Sequence, residues 1–185
     1  MYSIIKIQKE RLSTIDLENA ISLLRKTLNY FQGEADLLVY FLNSAIDLVE
    51  DRTGKIYLDS KITVFYKMST YEKIFELPYS NATAIDSVTV YKENGGEEAI
   101  ASDYYSLIDG FTSKIKIASN YSFPSFNLDK SLKIVYTAGY GNEFSEIPTV
   151  ERSKILMLAG HMFTYRLSIE EAVASLPKLF GVKYA

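Results

Sequence analysis

A chain of 185 residues can bury one substantial core, and with 48% hydrophobic and 23% charged residues its composition is ordinary for a globular protein, which excludes a wholly disordered or collagen-like chain. The formal net charge is -3, with Lys and Arg scattered among Asp and Glu, so nothing attracts phosphate in bulk and a dedicated DNA binder is disfavoured. No cysteine is present, which removes disulfides, thiolate nucleophiles and Cys-based zinc sites together and agrees with folding in a reducing compartment.

In chain order, residues 1–12 mix Ile4, Ile5 and Ile7 with Lys6, Lys9 and Glu10, so they hold no uninterrupted apolar stretch of the kind a signal peptide needs. Ser13 with Asp16 three residues later predicts a helix N-cap, and Leu17, Ala20, Ile21, Leu24 and Leu28 follow at helical spacing. Gly33 can close that helix in a left-handed conformation. A second helical stripe, Leu38, Phe41, Leu42, Ala45, Leu48 and Val49, then runs up to Gly54, so residues 13–54 are expected to form a helical hairpin.

From Lys61 the period shortens to two, with Ile62, Val64 and Tyr66 alternating against Thr63, Phe65 and Lys67. Further strands are predicted over 73–77, 87–92, 106–108, 114–118 and 131–137, and Asn94-Gly95-Gly96 supplies the backbone freedom for a hairpin. Residues 61–137 are therefore expected to be an antiparallel β module inserted between helices. Pro148 suits the start of a third helix, residues 147–167, whose apolar positions are Ile155, Leu158, Ala159, Met162 and Phe163. Residues 168–185 form a tail in which Ser168 to Ala174 can make a further helical turn, while Pro177 disfavours helix at the residue before it, so the segment from Leu176 to Gly181 is expected to be partly extended. The fold class is α+β, a bundle of two N-terminal helices and one C-terminal helix around the inserted module, in a single domain spanning residues 1–185.

The search for chemistry finds little. The only histidine, His161, lies in the most apolar part of the third helix, where a packed residue is a better reading than a catalytic base. Asp47, Glu50 and Asp51 cluster on the second helix, but followed by Arg52 they read as a solvated helix end and not as a metal site. Gly139-Tyr140-Gly141 fails the phosphate-loop pattern at Phe144, so the two glycines, with Pro148, read as a structural hinge between the β module and the third helix. The 15 Tyr and 10 Phe have no interleaved basic stripe and suit packing and protein interfaces better than stacking on bases. No catalytic, cofactor-binding or metal-binding residue is assigned, and no cofactor is expected.

One stretch is more specific: Val135-Tyr136-Thr137-Ala138-Gly139-Tyr140-Gly141, then Ile147-Pro148, then Ile155 to Phe163 ending at Arg166. It resembles the head-tail connector (adaptor or head completion) family of tailed bacteriophages, where a strand ending in Tyr-Thr-Ala-Gly-Tyr-Gly passes through an acidic turn and a Pro into a helix bearing Ala-x-His-x-Tyr and an Arg. The helix from Asp36 to Gly54, the Leu77-Pro78 turn before Ile85 to Tyr91, and Asp103-Tyr104-Tyr105 are similar to longer members with a β insertion.

The resemblance implies a non-enzymatic structural subunit of the virion, assembled in the host cytoplasm into a twelvefold ring at the head-tail interface. Such a ring binds the portal protein, offers its far face to the next tail-completion or stopper protein, and lets DNA pass through its lumen without specific binding. Leu176, Leu179, Phe180 and Tyr184 are the expected portal-binding residues, an apolar set on a short segment that needs a partner groove. Two alternatives stay open: another virion or tail-assembly protein, or a small-ligand-binding module or enzyme with an undetected site.

Overall fold

The computed structural model describes residues 2–11, 18–27, 35–108, 110 and 112–180. It is an α+β protein with antiparallel sheets, and it divides into two compact units, each drawn from separated parts of the chain. One comprises the first strand and Gly54–Gly139; the other comprises the two N-terminal helices and the segment from Tyr140 onward.

The β unit holds eight strands: β1 (Tyr2–Arg11), β2 (Ser60–Met68), β3 (Ile74–Glu76), β4 (Ala82–Tyr91), β5 (Glu97–Ile100), β6 (Tyr105–Ile108), β7 (Lys114–Ile117) and β8 (Leu132–Ala138). Five form one sheet in the order β1-β2-β8-β4-β5, and three form a second in the order β3-β7-β6, with every pairing antiparallel. The alternation read from Lys61 onward is what places Ile62, Val64, Tyr66 and Met68 on the inner face of β2. They meet Leu132, Ile134 and Tyr136 of β8, Val88 and Val90 of β4, and Phe75, Ile115 and Ile117 from the smaller sheet, so one apolar core fills the space between the two sheets.

The β4–β5 hairpin turns through Asn94-Gly95-Gly96 as the sequence suggests, with Gly95 at φ +83° and the Gly96 N–H donating to the Asn94 side chain at 3.0 Å. β1 is an element the sequence reading does not assign. Asn81, at φ +57°, closes a different turn: its side chain accepts from the Ile56 N–H at 3.1 Å and donates to the Ile56 carbonyl at 2.6 Å. That pair of bonds ties the segment entering β2 to the start of β4.

The helical unit contains α1 (Glu18–Thr27), α2 (Ala35–Thr53), α3 (Thr149–Tyr165) and α4 (Ile169–Phe180). Most of the predicted stripe positions are buried: Ala20 and Leu24 from α1, Leu38, Phe41, Leu42, Ala45 and Val49 from α2, and Ile155, Leu158, Ala159, Met162 and Phe163 from α3; Ile46 is buried as well, outside the predicted stripe, whereas Ile21 and Leu48 are half-buried. Phe41 and Phe163 meet edge to face at 6.3 Å between ring centres. The Ser13 cap and the Gly33 link lie outside the described residues. Two expectations change. Glu50 is fully buried, so the acidic cluster of α2 is not simply a solvated end. And the tail is helical through Phe180, continuing past Pro177, where an extended segment was expected.

Candidate partner-binding segment and the turn that leads to it

β8 ends at Ala138, and Gly139 follows at φ +149°, a conformation that L side chains rarely adopt. A Cβ there would come within 2.6 Å of both the Cα and the backbone nitrogen of Asp59, so the close approach of two backbone segments leaves room only for hydrogen. Gly141, at φ +145°, faces the Glu146 carboxylate instead. That carboxylate accepts the Glu143 N–H at 2.9 Å and caps the short 3-10 turn Phe144–Glu146, while Phe144 and Ile147 anchor the turn in the core of the helical unit. Pro148 then precedes α3 at φ -51°, and its carbonyl accepts the Arg152 N–H at 2.9 Å, the first bond of the helix.

α3 ends at Arg166, which takes a left-handed conformation at φ 53°. Its guanidinium lies 4.6 Å from the Phe163 ring centre, and the Leu167 N–H returns to the Met162 carbonyl at 3.1 Å. His161 is half-buried on α3 with its ring 4.7 Å from that of Tyr165, and its buried Nδ1 has no hydrogen-bond partner among the described residues. It meets no serine or carboxylate in a relay.

α4 starts from a capping box: the Glu171 N–H donates to Ser168 Oγ at 3.3 Å and the Ser168 N–H donates to the Glu171 carboxylate at 2.8 Å. Leu176, Leu179 and Phe180 fall on the second half of this helix, spaced three and one apart, whereas Tyr184 lies outside the described residues. The helical turn expected over Ser168 to Ala174 is the first half of α4; its continuation past Pro177 was not expected.

Among the described residues no three His, Asp or Glu side chains gather to hold a metal ion, and no helix is long and apolar enough to cross a membrane. One surface depression on the β unit is lined by Lys92, Glu93, Asn94, Pro124 and Ser125. The buried tyrosines are the groups whose acidity the fold changes most. Desolvation raises the Tyr66 and Tyr136 phenols well above the ordinary range, the former also through the neighbouring Tyr136, Tyr2 and Glu76. Tyr66 donates to the Glu76 carbonyl at 2.7 Å, and the Tyr136 hydroxyl accepts the Tyr79 N–H at 3.3 Å, so both serve packing.

No family model matches the sequence, and no curated protein matches it. Solved structures do. A chain in the neck of an empty gene transfer agent particle computed with C6 symmetry superposes with a TM-score of 0.69 at 17% identity, covering 96% of this chain and 97% of that one. This chain has that fold. A chain of the neck of the native particle computed with C12 symmetry gives 0.70 at 15% identity over the same shares, and a chain of the virion of the native gene transfer agent gives 0.69 at 17%. The likeness therefore spans both units, the β insertion included.

Proposed function

We propose that this chain is a non-enzymatic structural subunit in the neck of a tailed phage or phage-like particle, an adaptor that forms a ring on the portal vertex and receives the next tail component. The observation that carries the reading is the agreement in fold over 96% of this chain and 97% of a neck chain. The neighbouring necks were computed with C6 and C12 symmetry, which supports a closed ring of identical copies, twelve in the fuller case. Gly139, Gly141 and Pro148 act as the structural hinge between β unit and α3, and α4, with Leu176, Leu179 and Phe180, carries the portal-docking end. A net charge of -3 suits a lumen that duplex DNA crosses without being held.

The test is the particle mass of the purified chain, alone and mixed with a portal ring. A discrete large oligomer, on its own or on the portal, is the expected result. A single-chain mass under every condition would remove the ring and the adaptor role with it.

A further inference from the structure

We propose that the two edges of the five-stranded sheet join between neighbouring copies, β1 of one against β5 of the next, so that the sheet runs on from subunit to subunit. The inference rests on the ring reading above and names the contact that builds the ring.

Among the described residues β1 is an edge strand, with β2 as its neighbour on one side. The Tyr66 carbonyl accepts the Ser131 N–H at 2.9 Å and the Met68 N–H donates to Ser131 Oγ at 3.0 Å, so the even-numbered residues of β2 aim their backbone groups away from β1. The odd-numbered ones therefore bond to their register partners Ser3, Lys6, Gln8 and Glu10. It follows that Ile4 and Ile7 turn their N–H and C=O outward, where no further strand lies among the described residues. The register shifts between Ile4 and Lys6, leaving Ile5 as the extra residue of a bulge. The side chains of Ile4, Ile5 and Ile7 are 39%, 47% and 41% exposed. An edge that turns the backbone groups of Ile4 and Ile7 outward and exposes three isoleucines is what a protein covers with another strand.

Charge selects which strand. The sequence of β1 carries Lys6, Lys9 and Arg11 against a single Glu10, whereas β5 opens with Glu97-Glu98. The register runs from Lys6 through Phe65 and Lys133 to Thr89 on one face, and Tyr91, two residues further along that face, pairs with Glu97. Exposed Lys6 and exposed Glu97 thus stand on the same face at opposite edges. Continued between copies, the sheet brings them together as cross-strand neighbours of opposite sign. A β1–β1 pairing would set Lys6 against Lys6, and a β5–β5 pairing Glu97 against Glu97, both destabilising.

The charges therefore favour a heterologous contact over a twofold one, and heterologous contacts are the kind that close into rings. Four antiparallel steps separate β1 from β5, so the two edges run in the same direction, and the small rotation between neighbours in a sixfold or twelvefold ring preserves it. The junction is a parallel one.

Because the chain has no cysteine, Lys6→Cys with Glu97→Cys gives two unique thiols for a short bis-maleimide bridge. In the full-length chain, in whichever sample carries the ring mass, the double variant should give a covalent ladder extending beyond dimer, and each single variant should not. Ile7→Pro removes only an outward N–H and should lower the ring fraction at least tenfold with the melt unchanged. Lys6→Glu should do likewise, and adding Glu97→Lys should restore rings, which keeps the test decisive should the proline variant misfold. Rings of full mass with no ladder, or rings indifferent to both Lys6→Glu and Ile7→Pro, would overturn the junction while leaving the ring itself standing. A single-chain mass throughout would instead overturn the reading on which it rests.

Discussion

At the scale of single residues, the sharpest demands fall on two glycines and two tyrosines. Gly139 is forced by its φ of +149° and by the backbone of Asp59 lying against it, so Gly139→Ala combines backbone strain with a collision that no side chain can relieve. We expect a loss of about 3 kcal/mol, with Val worse, read from urea unfolding. Gly141 faces only a carboxylate tip, which can move at the cost of its cap, so Gly141→Ala should cost less, roughly 1–2 kcal/mol. Equal losses at the two positions would show that the Asp59 contact is not what fixes Gly139.

The tyrosines set an alkaline limit. Tyr66 and Tyr136 hold their protons in the folded chain at pH values where an unfolded chain, with phenols near the ordinary 10.0, releases them. Their contribution is fully present below about pH 10 and declines as pH rises above it, by about 1.4 kcal/mol per pH unit for each phenol. Unfolding measured from pH 9 to 11.5 should show this slope, and Tyr136→Phe should remove about half of it. A flat profile would mean that the phenols ionise in place.

At the scale of elements, legibility followed periodicity. α2 and α3 were readable because a buried stripe recurs at helical spacing, and β2 because one face is core and the other is not. β1 was not, since an edge strand exposed on both faces alternates nothing, and its isoleucines interleaved with lysines carry no period. Of α4 only the first half was legible, as a helical turn over Ser168 to Ala174: Pro177 outweighed the helical pattern of the rest. The docking segment is a proposal read from an apolar set, Leu176, Leu179, Phe180 and Tyr184, on a short tail interrupted by Pro177.

Pro177 lacks the N–H that a helix interior uses, so Pro177→Ala should strengthen α4, by up to about 3 kcal/mol locally, and raise helical circular dichroism. Truncation after Ala174 removes the second half of α4 while keeping the buried Ala172. If that half is a docking end, the truncated chain melts almost unchanged and no longer joins portal. A large drop in melting temperature would assign Leu176, Leu179 and Phe180 to the subunit's own core instead.

At the scale of the whole molecule, the division into two units, each assembled from separated stretches of chain, was hidden from a single-sequence reading because it depends on contacts between distant residues such as β1 with β2. What remained visible at this scale was charge, and it bears on the passage of DNA. Tight binding to duplex requires several Lys or Arg to neutralise phosphates and release counterions, and each such contact steepens the fall of affinity with salt. Here several lysines are engaged locally: Lys67 pairs with Asp129, Lys92 with Glu98 and Lys114 with Glu76, while Lys130 lies over the Tyr91 and Phe65 rings. Closing a ring adds copies of a subunit that is already negative, so assembly deepens the repulsion and leaves no basic track for the duplex. Fluorescence anisotropy with a 30-base-pair duplex should therefore give a dissociation constant weaker than about 10⁻⁴ M at physiological salt, with a shallow dependence on salt, for single chains and rings alike. Micromolar binding with a steep salt slope would show that some face of the assembled ring grips the duplex, and would replace the image of an inert passage with that of a clamp.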